Sequence, residues 1–266
     1  MKVGLSRKLD FMTGPSKVLY SAYERRLRGR LALETLPHHV AVLADGNRRW
    51  ARANAPDEPL VAGYRAGAAK LREFCDWCSE LHIPLVTLWV LSTDNLGRSK
   101  DDELGPLCEV IANLVEDLAA RYPVRLVGAL EFLPDKTAER LRRAEAGSNQ
   151  VSPMHVNVAV AYGGRQELRD AVRSLLAEDA ERGLTLADVA DTLEVDQIEA
   201  HLYTSGQPDP DLIIRTSGEQ RLSGFLMWQS AHSEFYFCEA LWPDFRRVDF
   251  YRALRDYAQR ERRYGR

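Results

Sequence analysis

The stretch HVAVLADGNRRWA, His39 to Ala51, decides how the rest of the chain is interpreted. A short, mostly apolar run leads into Asp45-Gly46-Asn47, and two arginines and a tryptophan come directly after it. An apolar run of this length, bounded by turn residues, is typical of a strand buried in a parallel sheet. The triplet alone is also a common turn signal, so its meaning depends on the residues that come after the other strands.

The remaining sequence alternates between short apolar runs and longer amphipathic ones. The strand candidates are His39–Leu43, Leu85–Leu91, Val124–Leu130, His155–Val160, Asp211–Arg215 and Glu234–Phe237. The helix candidates are Ala62–Leu81, Glu103–Arg121, Pro134–Ala146, Arg165–Ala180 and Asp249–Arg262. This alternation predicts an α/β fold: a single domain with a central, mainly parallel six-stranded sheet flanked by helices.

Composition narrows the class of protein further. The chain has 266 residues, 45% of them hydrophobic, and a formal net charge of −3, so no overall basic field favours a nucleic-acid partner. Four cysteines in this length do not form a disulfide scaffold, and no apolar run is long enough to span a membrane. We therefore expect a cytoplasmic protein that does not bind nucleic acid.

Residues 1–36 differ from the rest, because they carry eight Lys or Arg against three acidic residues. Apolar residues recur at roughly helical spacing from Ser16, which predicts a basic, helical extension in front of one domain spanning 37–266. Two interpretations remain open. The helix either lies on an anionic membrane surface as a peripheral contact or packs on the domain with its basic face in solvent.

Polar residues come after several of the strand candidates, and in a parallel sheet these positions share one edge. Gly46 allows close backbone approach, and a helix that begins near Asn47 or Arg48 points free N–H groups at an anion. Arginines after these strands can bind phosphate in a bidentate manner. Asp45 would repel phosphate unless a divalent cation lies between them, and Mg²⁺ favours one or two carboxylates plus phosphate oxygens. The edge therefore suits a Mg²⁺–diphosphate site, with Glu234 as a candidate second carboxylate.

Four segments carry a resemblance to a known family: "HHVAVLADGNRRWA", "LSTDNLGR", "NVAVAYGGRQEL" and "DLIIRTSGEQRLSGFLMWQSAHSEFYF". In order and spacing they closely resemble the cis-prenyltransferases, the undecaprenyl diphosphate synthase family, from about Pro37 to the end of the chain. Within that family they look most like the actinobacterial short-chain (2Z,6E)-farnesyl diphosphate synthases.

The resemblance implies a Mg²⁺-dependent condensation of isopentenyl diphosphate with an allylic diphosphate, with a new cis double bond and release of pyrophosphate. It implies Asp45 and Asn95 as catalytic residues and Asp45 and Glu234 as metal ligands. The substrate-binding residues that it implies are Gly46, Asn47, Arg48, Arg49, Trp50, Ser92, Thr93, Asp94, Leu96, Arg98, Arg215, Arg221, Leu222 and Ser223.

Several residues depart from the family pattern. Arg48 stands where most members have Gly, Tyr64 replaces the usual His, and Leu60 occupies a position where many members carry a phosphate-binding Arg. Arg48 could compensate for the charge lost at Leu60. Leu96 replaces an aromatic residue, usually Trp, and His232 replaces a commoner Tyr.

Product length in this family is set by a hydrophobic tunnel between the sheet and the helices, with Val90 and Leu91 as the implied chain-length residues. Val90 is larger than the Ala of long-chain enzymes but smaller than the Leu expected of a firm block, so the expectation of a C15 product from geranyl diphosphate rests more on the overall resemblance than on this side chain. The alternatives are a long-chain decaprenyl or undecaprenyl diphosphate synthase and a non-catalytic prenyl-diphosphate-binding subunit. The resemblance also implies a homodimer, in which an Arg-x-Gly tail (Arg263, Gly265) reaches towards the partner's site.

Overall fold

The computed structural model describes residues 14–29, 31, 35–97 and 103–260. Arg98, the Arg263–Gly265 tail and four of the eight basic residues of 1–36 lie outside the described residues, so the predictions made for them stay predictions.

Six parallel strands form one sheet in the order β3-β4-β2-β1-β5-β6, which confirms the predicted architecture. The strands are β1 (His39–Leu43), β2 (Leu85–Trp89), β3 (Val124–Val127), β4 (His155–Ala159), β5 (Leu212–Arg215) and β6 (Glu234–Phe237). The third strand ends three residues earlier than predicted, because Gly128 comes after it with a φ of 135°, which breaks the extended backbone.

The described helices flank this sheet. They are α1 (Gly14–Arg28), α2 (Asn47–Asn54), α3 (Val61–Glu80), α4 (Gly105–Ala119), α5 (Asp135–Ala146), α6 (Gly164–Glu181), α7 (Leu186–Thr192), α8 (Val195–Ala200) and α9 (Arg247–Gln259). The helix expected near Asn47 is α2. The two short helices α7 and α8 were not predicted.

The two faces of the sheet are buried unequally. Val40, Val42 and Leu88 point to a large core that also contains the buried sides of α3, α4 and α9. The opposite face supports a smaller cluster, in which Phe225 and Leu226 of the β5–β6 connection cover Ala41 and Leu43. The connection after β1 therefore runs over one face, and the connection after β5 covers the other.

Strand β1 lies between β2 and β5, so the strand order reverses beside it. In open parallel sheets, ligands bind beyond the carboxyl ends of the strands at such a switch point. The crevice is bordered by Asp45, which lies just after β1, and by Arg215, which ends β5.

A buried chain of polar side chains crosses the sheet at the other end. His39 Nδ1 donates to the carbonyl of Pro208 (2.8 Å), and His39 Nε2 accepts from the Thr87 hydroxyl (2.7 Å). Asn157 donates to Thr87 Oγ1 (3.1 Å) and to Gln207 (2.6 Å). Burial lowers the pKa of His39 to about 4, so this histidine is neutral near pH 7.

Helix α1 uses its apolar side for packing within the chain. Leu27 is buried in the main core, and Arg247 of α9 lies 3.9 Å from Glu24. Arg25, Arg26 and Arg28 are exposed. This arrangement supports the interpretation of a packed helix with a basic face in solvent, and the membrane contact stays a prediction. Within the described residues, no helix combines the length and the apolar character that crossing a membrane requires.

Candidate active site

The loop after β1 is fixed by its backbone. The amide of Asp45 donates to Thr216 Oγ1 (3.1 Å), and that hydroxyl donates to the Asp45 carbonyl (2.9 Å). The amide of Trp242 donates to the same carbonyl (2.9 Å). Because two other segments hold the backbone of this one residue, its carboxylate, whose side chain is 40% exposed, projects from a fixed position into the crevice.

Gly46 caps α2 with a φ of 107°, a left-handed conformation that disfavours other residues. A Cβ at this position would lie 2.8 Å from a side-chain carbon of Leu241. Glycine is therefore required both by the turn and by the segment that packs beneath it. The turn leaves the first N–H groups of α2 unpaired within the helix, at the crevice.

Arg215 links the two sides of the crevice. One guanidinium nitrogen donates to Asp45 Oδ2 (3.1 Å), and the other donates to Ser223 Oγ (2.8 Å) and to the carbonyl of Arg221. Its side chain is only 5% exposed, and its Nε has no hydrogen-bond partner among the described residues. A buried cation that holds one carboxylate and keeps an unused donor is suited to an additional anionic ligand.

Further arginines surround this pair. Arg49 lies 3.9 Å from Asp45 Oδ1 and donates to the Ser217 carbonyl (3.4 Å), while the exposed Arg221 pairs with Glu219. Arg52 also lines the crevice, and the sequence interpretation missed it. Its position three residues after Arg49 on α2 was the available signal, because residues so spaced share a helix face.

The chain after β2 forms a short 3₁₀ helix, Thr93–Gly97. Ser92 forms a bridge with Tyr162, and the amide of Asn95 donates to the Ser92 carbonyl (3.1 Å). Ser92, Asp94 and Asn95 line the crevice beside the residues of β1 and β5. The sheet edge therefore brings together the polar residues located after three neighbouring strands.

These side chains open into a cavity of about 620 Å³. Its polar end contains five arginines, Arg48, Arg49, Arg52, Arg215 and Arg221, and three carboxylates, Asp45, Asp94 and Glu219. Its apolar wall comprises Ala68, Leu71, Val90, Leu91, Leu107, Val110, Ile111 and Leu114. The cavity thus joins a cationic end to an apolar region between α3, α4 and the end of β2, where the tunnel was expected.

Not every predicted site residue reaches this cavity. Trp50 donates from its indole to Asp244 (3.1 Å), and Leu96 packs against the main core. Leu222 packs against the cluster on the opposite face, and Thr93 lies against Gly163. None of these four is among the residues that line the cavity. Their contacts support the elements that carry the site.

The position of Glu234 corrects the expectation that it joins Asp45 as a second metal ligand within the chain. It begins β6 in register with Leu212, the first residue of β5, and forms an ion pair with Arg260. Asp45 lies after the carboxyl end of β1, so within this chain the two carboxylates lie at opposite ends of the sheet. The structure therefore does not bring Glu234 close to the Asp45 of its own chain.

The polar end fits a magnesium ion that arrives with a diphosphate. In the part of the chain that the structure describes, no three His, Cys, Asp or Glu side chains are grouped to hold a metal. Asp45 supplies one carboxylate beside the unused donor of Arg215. This donor set is the one expected when substrate phosphates complete the coordination of Mg²⁺.

A parallel α/β sheet whose edge joins arginines and carboxylates to an apolar cavity defines a site suited to an amphiphilic anion such as a diphosphate. Over residues 43–265 the sequence matches the family described as "Putative undecaprenyl diphosphate synthase". The chain belongs to this family, the cis-prenyltransferases, as the resemblance of its motifs indicated.

Individual relatives agree with that assignment. A (2Z,6E)-farnesyl diphosphate synthase of Mycolicibacterium smegmatis is 56% identical over 252 residues, which cover 92% of this chain and 95% of the relative. A (2Z,6E)-farnesyl diphosphate synthase of Thermobifida fusca is 56% identical over 248 residues, which cover 93% of this chain and 97% of the relative. The crystal structure of lavandulyl diphosphate synthase from Lavandula x intermedia, in complex with dimethylallyl diphosphate, superposes with a TM-score of 0.77 at 33% identity. The match covers 88% of this chain and all of that one.

Proposed function

We propose that this enzyme condenses geranyl diphosphate with one isopentenyl diphosphate to form (2Z,6E)-farnesyl diphosphate and pyrophosphate. The observation that carries the proposal is the direct junction between the Asp45–Arg215 pair and an apolar cavity. A prenyl diphosphate has the same two parts, a dianionic head and a hydrocarbon chain. The relatives named as (2Z,6E)-farnesyl diphosphate synthases support the same product.

The donor diphosphate is assigned to the first turn of α2. The N–H groups after Gly46 and the side chains of Arg48 and Arg49 face the crevice there. Asp45 would hold Mg²⁺ against this diphosphate, and the ion when bound stabilises the charge that develops on the leaving group. The chain itself aims fixed N–H and guanidinium donors at the same charge, so little reorganisation accompanies departure of the pyrophosphate.

The acceptor diphosphate is assigned to the far side of the crevice. Arg215 fixes Ser223 and the backbone of Arg221 by hydrogen bonds, so these groups form one unit. During the reaction the allylic carbon–oxygen bond breaks, C4 of isopentenyl diphosphate forms the new carbon–carbon bond, and a proton is lost from C2. Ser92 and Asn95 line the same cavity, and we assign them the role of positioning the acceptor's reacting carbons.

The apolar wall supports a short product. Leu71 is the last residue of α3 that lines the cavity, and Leu114 is the last of α4. One turn further along these helices, Cys75 and Leu118 are completely buried. Val90 is half-buried and lines the same cavity, in keeping with its assignment as a chain-length residue.

We assign a homodimer as the working form. Met227 and Phe237 each leave 40% of an apolar side chain exposed, in the segment that resembles the pairing region of the family. Sedimentation of the purified protein at micromolar concentration tests this: a monomer would contradict the assignment.

The enzymatic proposal is tested by incubating the protein with Mg²⁺ and labelled isopentenyl diphosphate. Dimethylallyl, geranyl and farnesyl diphosphates are supplied separately, and products are sized after dephosphorylation. We expect a C15 alcohol from the geranyl donor without further growth. A ladder to C50 or beyond would identify a long-chain synthase, and no product from any donor would indicate a prenyl-diphosphate-binding subunit.

A further inference from the structure

Three helical segments meet at the rim of the cavity. Tyr64 of α3 donates a hydrogen bond from its hydroxyl to Oε1 of Glu103, which lies two residues before the start of α4. Arg48 of α2 places a guanidinium nitrogen 3.8 Å from the same oxygen. Arg48 and Tyr64 both line the cavity. The reaction described above assigns no role to Glu103.

The carboxylate of Glu103 is more buried than the cation that it faces. Its side chain is 15% exposed, whereas that of Arg48 is 48% exposed. A long, exposed arginine loses rotamer freedom when it binds a ligand, and prior ordering reduces that cost. A negative charge beside an anion site, in contrast, repels the ligand. The effect of Glu103 on donor binding therefore reveals which of these two contributions is larger.

We propose that Glu103, fixed by Tyr64, is a positioning residue that orders Arg48 for the donor diphosphate. The inference rests on the proposed function, because it specifies how that same site recognises its donor. In this role Glu103 acts on the donor through Arg48 and does not itself contact either substrate. Its removal therefore weakens donor binding, although the repulsion between Glu103 and the diphosphate disappears at the same time.

The decisive variant is Glu103→Gln, because the amide oxygen can still accept the bond from Tyr64 while the charge is lost. We expect the KM for geranyl diphosphate to rise about threefold to tenfold, the range that ordering one long side chain supplies. The KM for isopentenyl diphosphate and kcat should stay unchanged. A fall in the KM for geranyl diphosphate would show that repulsion dominates and would overturn the proposal.

Dependence on Arg48 separates positioning from a general structural effect. In an Arg48→Ala background, Glu103→Gln should have no further effect on the KM for geranyl diphosphate, and equal effects in both backgrounds would overturn the proposal. Tyr64→Phe, which loses only the hydroxyl, should raise that KM by a smaller factor and likewise only when Arg48 is present. The matched control is Glu116→Gln, which breaks an ion pair with Arg140 on the exposed side of α4. This variant should leave the KM for geranyl diphosphate unchanged.

A titration with inorganic pyrophosphate provides a readout independent of turnover. Calorimetry is run on the wild-type protein, on Glu103→Gln, on Arg48→Ala and on the double variant. Glu103→Gln should bind pyrophosphate more weakly than the wild-type protein, whereas the double variant should bind it as strongly as Arg48→Ala alone. If the wild-type protein forms no product from any donor, the proposed function fails, and this titration still decides the role of Glu103. If product forms but the titration shows no dependence on Arg48, only the positioning role fails.

Discussion

Leu114→Ala tests how the cavity limits product length. Leu114 is 1% exposed and is the last residue of α4 that lines the cavity. Leu118 lies one turn further along α4, is fully buried and does not line it. The two leucines therefore share a helix and a degree of burial but differ in their access to the substrate.

The expected effect is set by the volume that the leucine side chain leaves. An apolar cavity of about 150 Å³ created in a protein core stays dry and binds a benzene-sized molecule. One further isoprenyl unit is of similar size, and burying its five carbons at ~0.8 kcal/mol each favours extension by roughly 4 kcal/mol. We therefore expect Leu114→Ala to extend the C15 product to C20. Without substrate the variant should be less stable by about 3–5 kcal/mol.

The assay is the sizing of dephosphorylated products formed from geranyl diphosphate and labelled isopentenyl diphosphate. Leu118→Ala should lose similar stability in urea unfolding while its product stays at C15. Val90→Ala, run in parallel, shows whether the mouth of the cavity contributes to the limit. Only C15 from Leu114→Ala, or equal extension by both leucine variants, would refute the assignment of the cavity end to Leu114.

Three further predictions concern the loop after β1 and the strand itself. Asp45→Ala should lower kcat by about a thousandfold, the size of metal-assisted charge stabilisation, while circular dichroism shows an intact fold; unchanged turnover would remove its assigned role. Gly46→Ala should destabilise the protein by about 1–3 kcal/mol in urea unfolding, because it strains a φ of 107° and clashes with Leu241; wild-type stability would contradict this. The pKa of His39 is about 4 in the fold against 6.5 ordinarily, so the unfolded chain takes up the proton first as the pH falls. This difference contributes about 3 kcal/mol to the free energy of unfolding above pH 6.5, and the contribution is lost as the pH falls from 6.5 to 4. In a His39→Gln variant the free energy of unfolding should depend less on pH over that range.

The sheet and the position of the site could be predicted from sequence, because both depend on local patterns and one general rule. The apolar run His39–Leu43 and its counterparts mark buried strands, and the parallel arrangement places the residues after them at one edge. The helices α7 and α8 were missed because most of their residues are exposed, so no apolar periodicity marks them. Capping boxes, Thr185 with Asp188 and Glu194 with Gln197, were the available signal.

The position of Glu234 shows where family resemblance and sheet geometry disagree. Since Glu234 is the first residue of a strand parallel to β1, the same rule that places Asp45 at one edge places Glu234 at the other. The strand assignment already contained this information. The apolar wall could not be derived in the same way, because it depends on how α3 and α4 pack over the sheet and not on any single segment.

The two helical walls of the cavity differ in how far mutation can reshape them. A Cβ at Gly63 would lie 2.2 Å from the backbone oxygen of Asn47, and one at Gly67 would lie 2.3 Å from its side-chain oxygen, so α3 and α2 meet at close to backbone distance. The wall formed by α4 consists of ordinary side chains such as Leu107 and Ile111. A single substitution on α4 is therefore enough to change the volume of the cavity, whereas a shift of α3 would require several simultaneous changes. We expect changes of product length during evolution to occur mainly through residues of α4.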